Sequence, residues 1–133
     1  MGIKKVQKSK IVCLCGSVRW AEAFAQANMR ESLAGRIVLS IAGHARVEEE
    51  RGLTKEQKKA LDELHFRKID MADEILVINV EGYVGESTGR EIFYAIKKKK
   101  KIRFWEQNAI GVYNYIRSQR PKIPNAGSIE DFK

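Results

Sequence analysis

The sequence predicts an α/β fold: a single-domain parallel-sheet sandwich of four to five strands with helices on both faces. Three observations lead there. Short apolar runs alternate with longer stretches whose apolar residues recur at helical spacing, so strands and helices take turns along the chain. The runs close on glycine or polar turn residues, which part each strand from the next helix. At 133 residues, 44% hydrophobic and 32% charged, the chain has the size and apolar content for one cored domain.

The first strand is Ile11-Val12-Cys13-Leu14-Cys15, an apolar run closed by Gly16-Ser17. Ala21, Phe24, Ala25, Asn28 and Met29 then recur at helical spacing as far as Gly35, a residue suited to end a helix. Residues 36–41 read as the second strand. Residues 42–51, with Gly43, His44 and the acids Glu48, Glu49 and Glu50, lack periodicity and are expected to form a mobile loop. Thr54 opens a long helix with a capping box to Gln57, and the apolar face runs through Leu61, Leu64, Ile69 and Ala72. The third strand covers 74–80 and is followed by a glycine-rich turn over 82–89. A helix beginning at Glu91, a fourth strand over 102–105 and a last helix over 109–118 complete the order. The tail from Asn125 is expected to order against a partner subunit.

Strands alternating with helices imply parallel pairing with right-handed crossovers, the flavodoxin/Rossmann-like arrangement. Ligands bind such sheets beyond the carboxyl ends of the strands, at a topological switch point. Gly16-Ser17-Val18-Arg19 and the loop from Gly82 to Glu91 lie after the first and third strands, where such a site belongs.

Composition narrows the function classes. The formal net charge of +8 invites nucleic-acid binding, but much of the excess sits in Lys4, Lys5, Lys8 and Lys10 and in the run 97–101. That run reads as the exposed end of a helix, where lysines complement the dipole, and aromatic residues are not interleaved with it. Nucleic acid therefore ranks last among the partners considered. No apolar run approaches the length that spans a bilayer, and residues 1–10 lack the hydrophobic region of a secretory signal. Val6 stands where a myristoylation signal needs Ser or Thr. The expectation is a soluble, cytoplasmic protein. Cys13 and Cys15 are expected to face opposite sides of the sheet and so not to bridge, with reduced thiols following. His44 and His65 lie far from them in sequence, so no structural metal and no cofactor are expected.

Two loops hold the residues suited to chemistry. Gly16 and Ser17 stand between a strand and a helix start, where free N–H groups favour an anion, and Arg19 adds a fork of donors. The alternative is that Gly16 makes the turn, Ser17 caps the helix and Arg19 is solvated. The second loop, Gly82-Tyr83-Val84-Gly85-Glu86-Ser87-Thr88-Gly89-Arg90-Glu91, gathers three glycines, two hydroxyls and two carboxylates. Glu91 is placed in the first turn of the next helix, whose dipole keeps a carboxylate ionised for work as nucleophile or base. The plainer reading is a helix-capping glutamate, with Ser87 or Thr88 as the cap.

Cys15-Gly16-Ser17-Val18-Arg19, the Ala72-Asp73 strand start and the loop ending in Glu91-Ile92-x-x-Ala95 together resemble the nucleoside 2-deoxyribosyltransferase superfamily, which includes the 2′-deoxynucleoside 5′-monophosphate N-glycosidases. The resemblance runs from about Ile11 to Trp105. It implies that Glu91 is the nucleophile at the anomeric carbon of deoxyribose, forming a glycosyl-enzyme that water or a second base resolves. It also implies that Gly16, Ser17 and Arg19 lie near the sugar and the 5′ end, with Arg19, Ser87 and Thr88 as candidates for a 5′-phosphate. A homodimer or larger homo-oligomer is implied too. Tyr113, Tyr115, Ile116 and Phe132 are candidate interface residues.

Three departures bear on the acid-base assignment. His65 stands where many relatives have a catalytic aspartate, Gly85 where transferases have an aspartate and monophosphate hydrolases a serine, and Cys13 where some hydrolases have a tyrosine. Glu86 is a candidate replacement for the missing carboxylate. His65 is a candidate proton donor to the departing base, or a helix residue packed under the loop. Tyr83 is a candidate base-stacking ring, or an exposed loop tyrosine. Asp70 and Asp73 are expected to orient the loop and cap the third strand. The substrate class is thus a nucleoside or nucleoside 5′-monophosphate. The alternative is a nucleotide-binding or sensing domain that kept the scaffold without the chemistry.

Overall fold

Apolar runs with no polar interruption form strands buried on both faces, and two of them make the centre of the sheet. In the computed structural model, which describes residues 8–106, β1 (Ile11–Gly16) and β3 (Glu74–Ile78) pair in parallel with Cys15 opposite Val77 and Gly16 opposite Ile78. The short strands β2 (Ile37–Leu39) and β4 (Lys101–Phe104) flank them in the order β2-β1-β3-β4, and every pairing is parallel. The α/β layout with a parallel sheet therefore stands, with four strands. The expected helix over 109–118, the tail from Asn125, the candidate interface residues Tyr113, Tyr115, Ile116 and Phe132, and Lys4 and Lys5 lie outside the described residues.

Alternating side chains divide the core into two layers. Val12, Leu14, Leu76 and Ile78 face α1 (Ala21–Leu33), which contributes Phe24 and Ala27. Cys13, Cys15, Ile75 and Val77 face α2 (Lys55–Met71) and α3 (Glu86–Lys97), which contribute Ile69, Ile92, Phe93 and Ala95. Each large apolar side chain so buried contributes roughly 1.5–3 kcal/mol. No helix among the described residues is long and apolar enough to cross a membrane.

Several expectations need correction. Cys13 and Cys15 share one face of β1 and one core layer, because the side-chain period of a strand is two and residues i and i+2 point the same way. The helix after the glycine-rich loop starts at Glu86 rather than Glu91. Its N-cap, Gly85, offers no side chain, so neither Ser87 nor Thr88 is the cap. Ser17 does not cap α1 either: the N-cap is Trp20, without a side-chain bond. The capping box at Thr54 forms as expected, with Gln57 N–H donating to Thr54 Oγ1 at 3.1 Å and Thr54 N–H to Gln57 Oε1 at 2.9 Å. Leu64, however, is 49% exposed, and the inward stripe of α2 runs instead through His65 and Ile69.

The region over 42–51 closes with a 3-10 turn (Glu48–Arg51), is bonded to the loop after β1 and has its two ends bonded to each other. Ala45 N–H donates to Val18 O at 3.3 Å, and Arg51 Nη2 to Ala42 O at 3.0 Å. Asp73 accepts from Ile11 N–H at 2.8 Å and so anchors the start of β3 to β1, while Asp70 accepts from the Tyr94 hydroxyl at 2.5 Å.

The amino end of the sheet holds a structural charge network. Glu74 accepts from Arg103 Nε at 3.0 Å and pairs with Arg36 Nε at 3.3 Å, and Arg103 reaches Glu31 as well. Burial opposes the Glu31 charge, but the Arg103 hydrogen bond and the charges of Arg103, Arg36 and Arg30 outweigh it and hold the carboxyl below its ordinary range.

Candidate active site

β1 sits between β2 and β3, so the chain leaves it toward one side of the sheet and returns on the other, which opens a crevice at their carboxyl ends. A pocket of about 250 Å³ lies there, close to the lower end of ordinary small-ligand cavities at roughly 300–1,000 Å³. Gly16 and Ser17 come to it from the end of β1, and Tyr83, Gly85, Glu86, Ser87 and Thr88 from the loop and helix start after β3. Glu91 and His65 line it from α3 and α2. The two loops singled out in the sequence do converge.

Gly16 is required by close approach. A Cβ there would stand 3.1 Å from Ile78 Cβ, from Ile78 O and from Phe24. Gly85 is shielded differently, since a Cβ would meet only the Tyr83 ring, with its hydroxyl at 3.1 Å. The first turn of α3 points into the pocket. Its first intrahelical bond runs from Gly89 N–H to Gly85 O at 2.9 Å, so the N–H groups of Glu86, Ser87 and Thr88 have no intrahelical acceptor and face an anion favourably.

Glu91 lies at the sixth position of α3, beyond the first turn, so the dipole argument for its ionisation is displaced by burial. Burial pushes its carboxyl up to about 7, with the His65 charge pulling the other way. Oε1 is buried, has no hydrogen-bond partner among the described residues and lies 3.8 Å from His65 Nε2. The neighbouring Arg90 does not engage it but pairs with Glu86 at 3.4 Å and donates to Ser87 at 3.2 Å, while Arg103 lies at the amino end of the sheet and serves Glu31 and Glu74.

His65 is 5% exposed and turns Nε2 down toward β1, 3.6 Å from Cys13 Sγ and 3.4 Å from Cys15 Sγ. Distance in sequence misled here, because packing α2 on β1 brings the histidine onto both cysteines. Burial works against its charged form, but the hydrogen bond with Cys13 and the charges of Glu91 and Cys13 prevail, raising its pKa. The Cys15 hydrogen bond holds the Cys13 thiol below its ordinary value, whereas that bond and burial push Cys15 well above it.

Arg19 is the candidate that stands outside the pocket lining. Its guanidinium lies 4.2 Å from the Tyr83 ring centroid and 5.2 Å from that of Trp20, with Nε donating to Ser17 Oγ at 3.3 Å. Tyr83 is 42% exposed and carries this stack at the rim. Glu86 lines the mouth with 83% of its side chain exposed and is paired with Arg90.

Sequence reasoning missed Asp62, Lys58 and Arg51, which also line the pocket. Asp62 is one helical turn before His65, and Lys58 pairs with it at 2.9 Å. The i, i+4, i+7 spacing from Lys58 through Asp62 to His65 was the available signal, since these positions share a helix face. Arg51 is held by Glu48 at 2.9 Å.

The class that this fold and site define is an α/β domain with a ligand crevice at the switch point of its parallel sheet, floored by a buried carboxylate. No family model matches the chain, and neither a curated protein nor a solved structure matches it.

Proposed function

We propose that the protein cleaves or transfers the N-glycosidic bond of a nucleoside or nucleoside 5′-monophosphate, with Glu91 as nucleophile. The observation that carries this reading is the position of Glu91, a carboxylate on the floor of the switch-point pocket that no arginine among the described residues engages. Its motif resemblance to the nucleoside 2-deoxyribosyltransferases supplies the substrate class.

In the first step the Glu91 oxygen bonds to C1′ as the C1′–N bond breaks, and the base leaves with the electron pair and takes up a proton. That proton comes from water in the pocket, and Asp62, on the same wall as His65 and paired with Lys58 at 2.9 Å, is a carboxylate placed to relay it. His65 Nε2 faces Glu91 and the cysteines, so its part is to position the nucleophile rather than to protonate the base. Water or a second base then attacks C1′ and releases the carboxylate. The N–H groups opening α3, with the Ser87 and Thr88 hydroxyls, take the 5′-phosphate or sugar hydroxyls, and Arg19 contributes from the rim.

The test is incubation of the wild type and of Glu91→Ala with a panel of nucleosides, deoxynucleosides and their monophosphates, with and without a second free base. Base release by the wild type alone supports the reading, and exchange only with added base makes it a transferase. Tight binding without turnover by either protein favours a nucleotide-binding domain, to which the free N–H groups of α3 are equally suited.

A further inference from the structure

Under the pocket floor, Cys13 and Cys15 from β1 and His65 from α2 bring three donor atoms together. Cys13 Sγ, Cys15 Sγ and the imidazole nitrogen all lie within 4.8 Å of one another, and His65 Nε2 is 3.6 and 3.4 Å from the two sulfurs. Glu91 Oε1, on α3, stands beside this set, 3.8 Å from the same nitrogen, and has no hydrogen-bond partner among the described residues.

A tetrahedral zinc ion with bonds of about 2.0–2.3 Å sets its ligand atoms about 3.3–3.8 Å apart. The two nitrogen–sulfur distances at His65 Nε2 fall at that spacing. Hydrogen bonding alone accounts for the cluster poorly. Thiols are weak donors and acceptors, and one imidazole nitrogen facing two sulfurs and a carboxylate oxygen can serve only one of them well. A cation among the two sulfurs and the imidazole nitrogen satisfies these three groups together and offers the neighbouring Glu91 oxygen a partner to close on. Two cysteines favour a soft or borderline ion of the zinc class over magnesium or calcium.

We propose that Cys13, Cys15 and His65 bind a zinc-class divalent cation, on which Glu91 Oε1, standing beside the three, closes as the fourth ligand. Both thiols bind as thiolates and His65 as the neutral imidazole, so binding releases protons to solvent. The positive charge of Lys68, which acts on both Cys13 and His65, offsets part of the excess negative charge. The site does not rest on the proposed glycosyl chemistry but constrains it: an ion holding Glu91 Oε1 withdraws the nucleophile, so the metal-loaded protein is the inactive form of that reading.

The test is titration of the reduced, metal-free, full-length protein with cobalt(II), read by absorption. The expected result is saturation at one ion per chain, with thiolate-to-cobalt charge-transfer bands in the near ultraviolet and ligand-field bands of a tetrahedral ion. Cys15→Ser should remove at least about half of the charge-transfer intensity, as one of two thiolates is lost. Glu91→Gln should retain the charge-transfer bands and alter the ligand-field bands. X-ray absorption of the zinc-loaded wild type needs no variant to fold, and should give two sulfur neighbours and two nitrogen or oxygen neighbours. No charge-transfer band, or a zinc shell without sulfur, overturns the proposal. These readouts are independent of base release, so a cobalt band in a protein that turns over no substrate still supports the metal site, and turnover without a band still refutes it.

Discussion

Glu91 Oε1 lies 3.8 Å from His65 Nε2, so side chains from the middle of α3 and of α2 meet at the pocket floor. Whatever fixes α2 therefore fixes the environment of the carboxylate. The two helices pack on the same face of β1, and the site is a product of that packing rather than of either loop alone.

The Thr54 capping box is the first consequence. Thr54→Ala removes the acceptor for Gln57 N–H at the start of the helix that carries His65. The expected loss is about 1 kcal/mol, read as a lower urea midpoint with unchanged slope.

Two pocket glycines carry opposite expectations. Gly16→Ala forces a Cβ against the Ile78 backbone and the Phe24 ring in the buried core, and should cost about 1–3 kcal/mol. Gly85→Ala meets only the half-exposed Tyr83 ring, which can swing toward solvent, and should cost less than about 1 kcal/mol. Denaturant unfolding of the two variants checks the contrast.

The Glu31–Arg103 pair sets an acid limit. The folded-state carboxyl lies below its ordinary value, so its contribution is complete above about pH 4.5 and is lost as pH falls through the folded-state pKa. Glu31→Gln should therefore flatten part of the acid limb of a stability-against-pH curve. At neutral pH it should destabilise by about 2–4 kcal/mol, less than for a fully buried pair because Arg103 keeps 25% of its side-chain surface exposed. Urea unfolding across pH 3 to 7 measures both effects.

The fold was legible because β1 and β3 are unbroken apolar runs and Thr54 writes its cap into four consecutive positions. The pocket was legible as two loops at strand ends. What remained hidden depends on packing. Cys13 and Cys15 face the same way by the period of the strand, but their meeting with His65 depends on how α2 lies across β1. The start of α3 was set five residues late because Gly85 gives no side-chain cap to mark it. Asp62, Lys58 and Arg51 look like surface charges until the pocket is assembled around them.

The most direct measurement of the central claim is mass spectrometry of rapidly quenched, metal-free protein mixed with a nucleoside or nucleotide that it turns over. The account predicts an increase equal to one glycosyl group, mapped to the peptide containing Glu91 and absent in Glu91→Gln. Turnover that proceeds in Glu91→Gln, or a glycosyl adduct mapped to another residue, would contradict it.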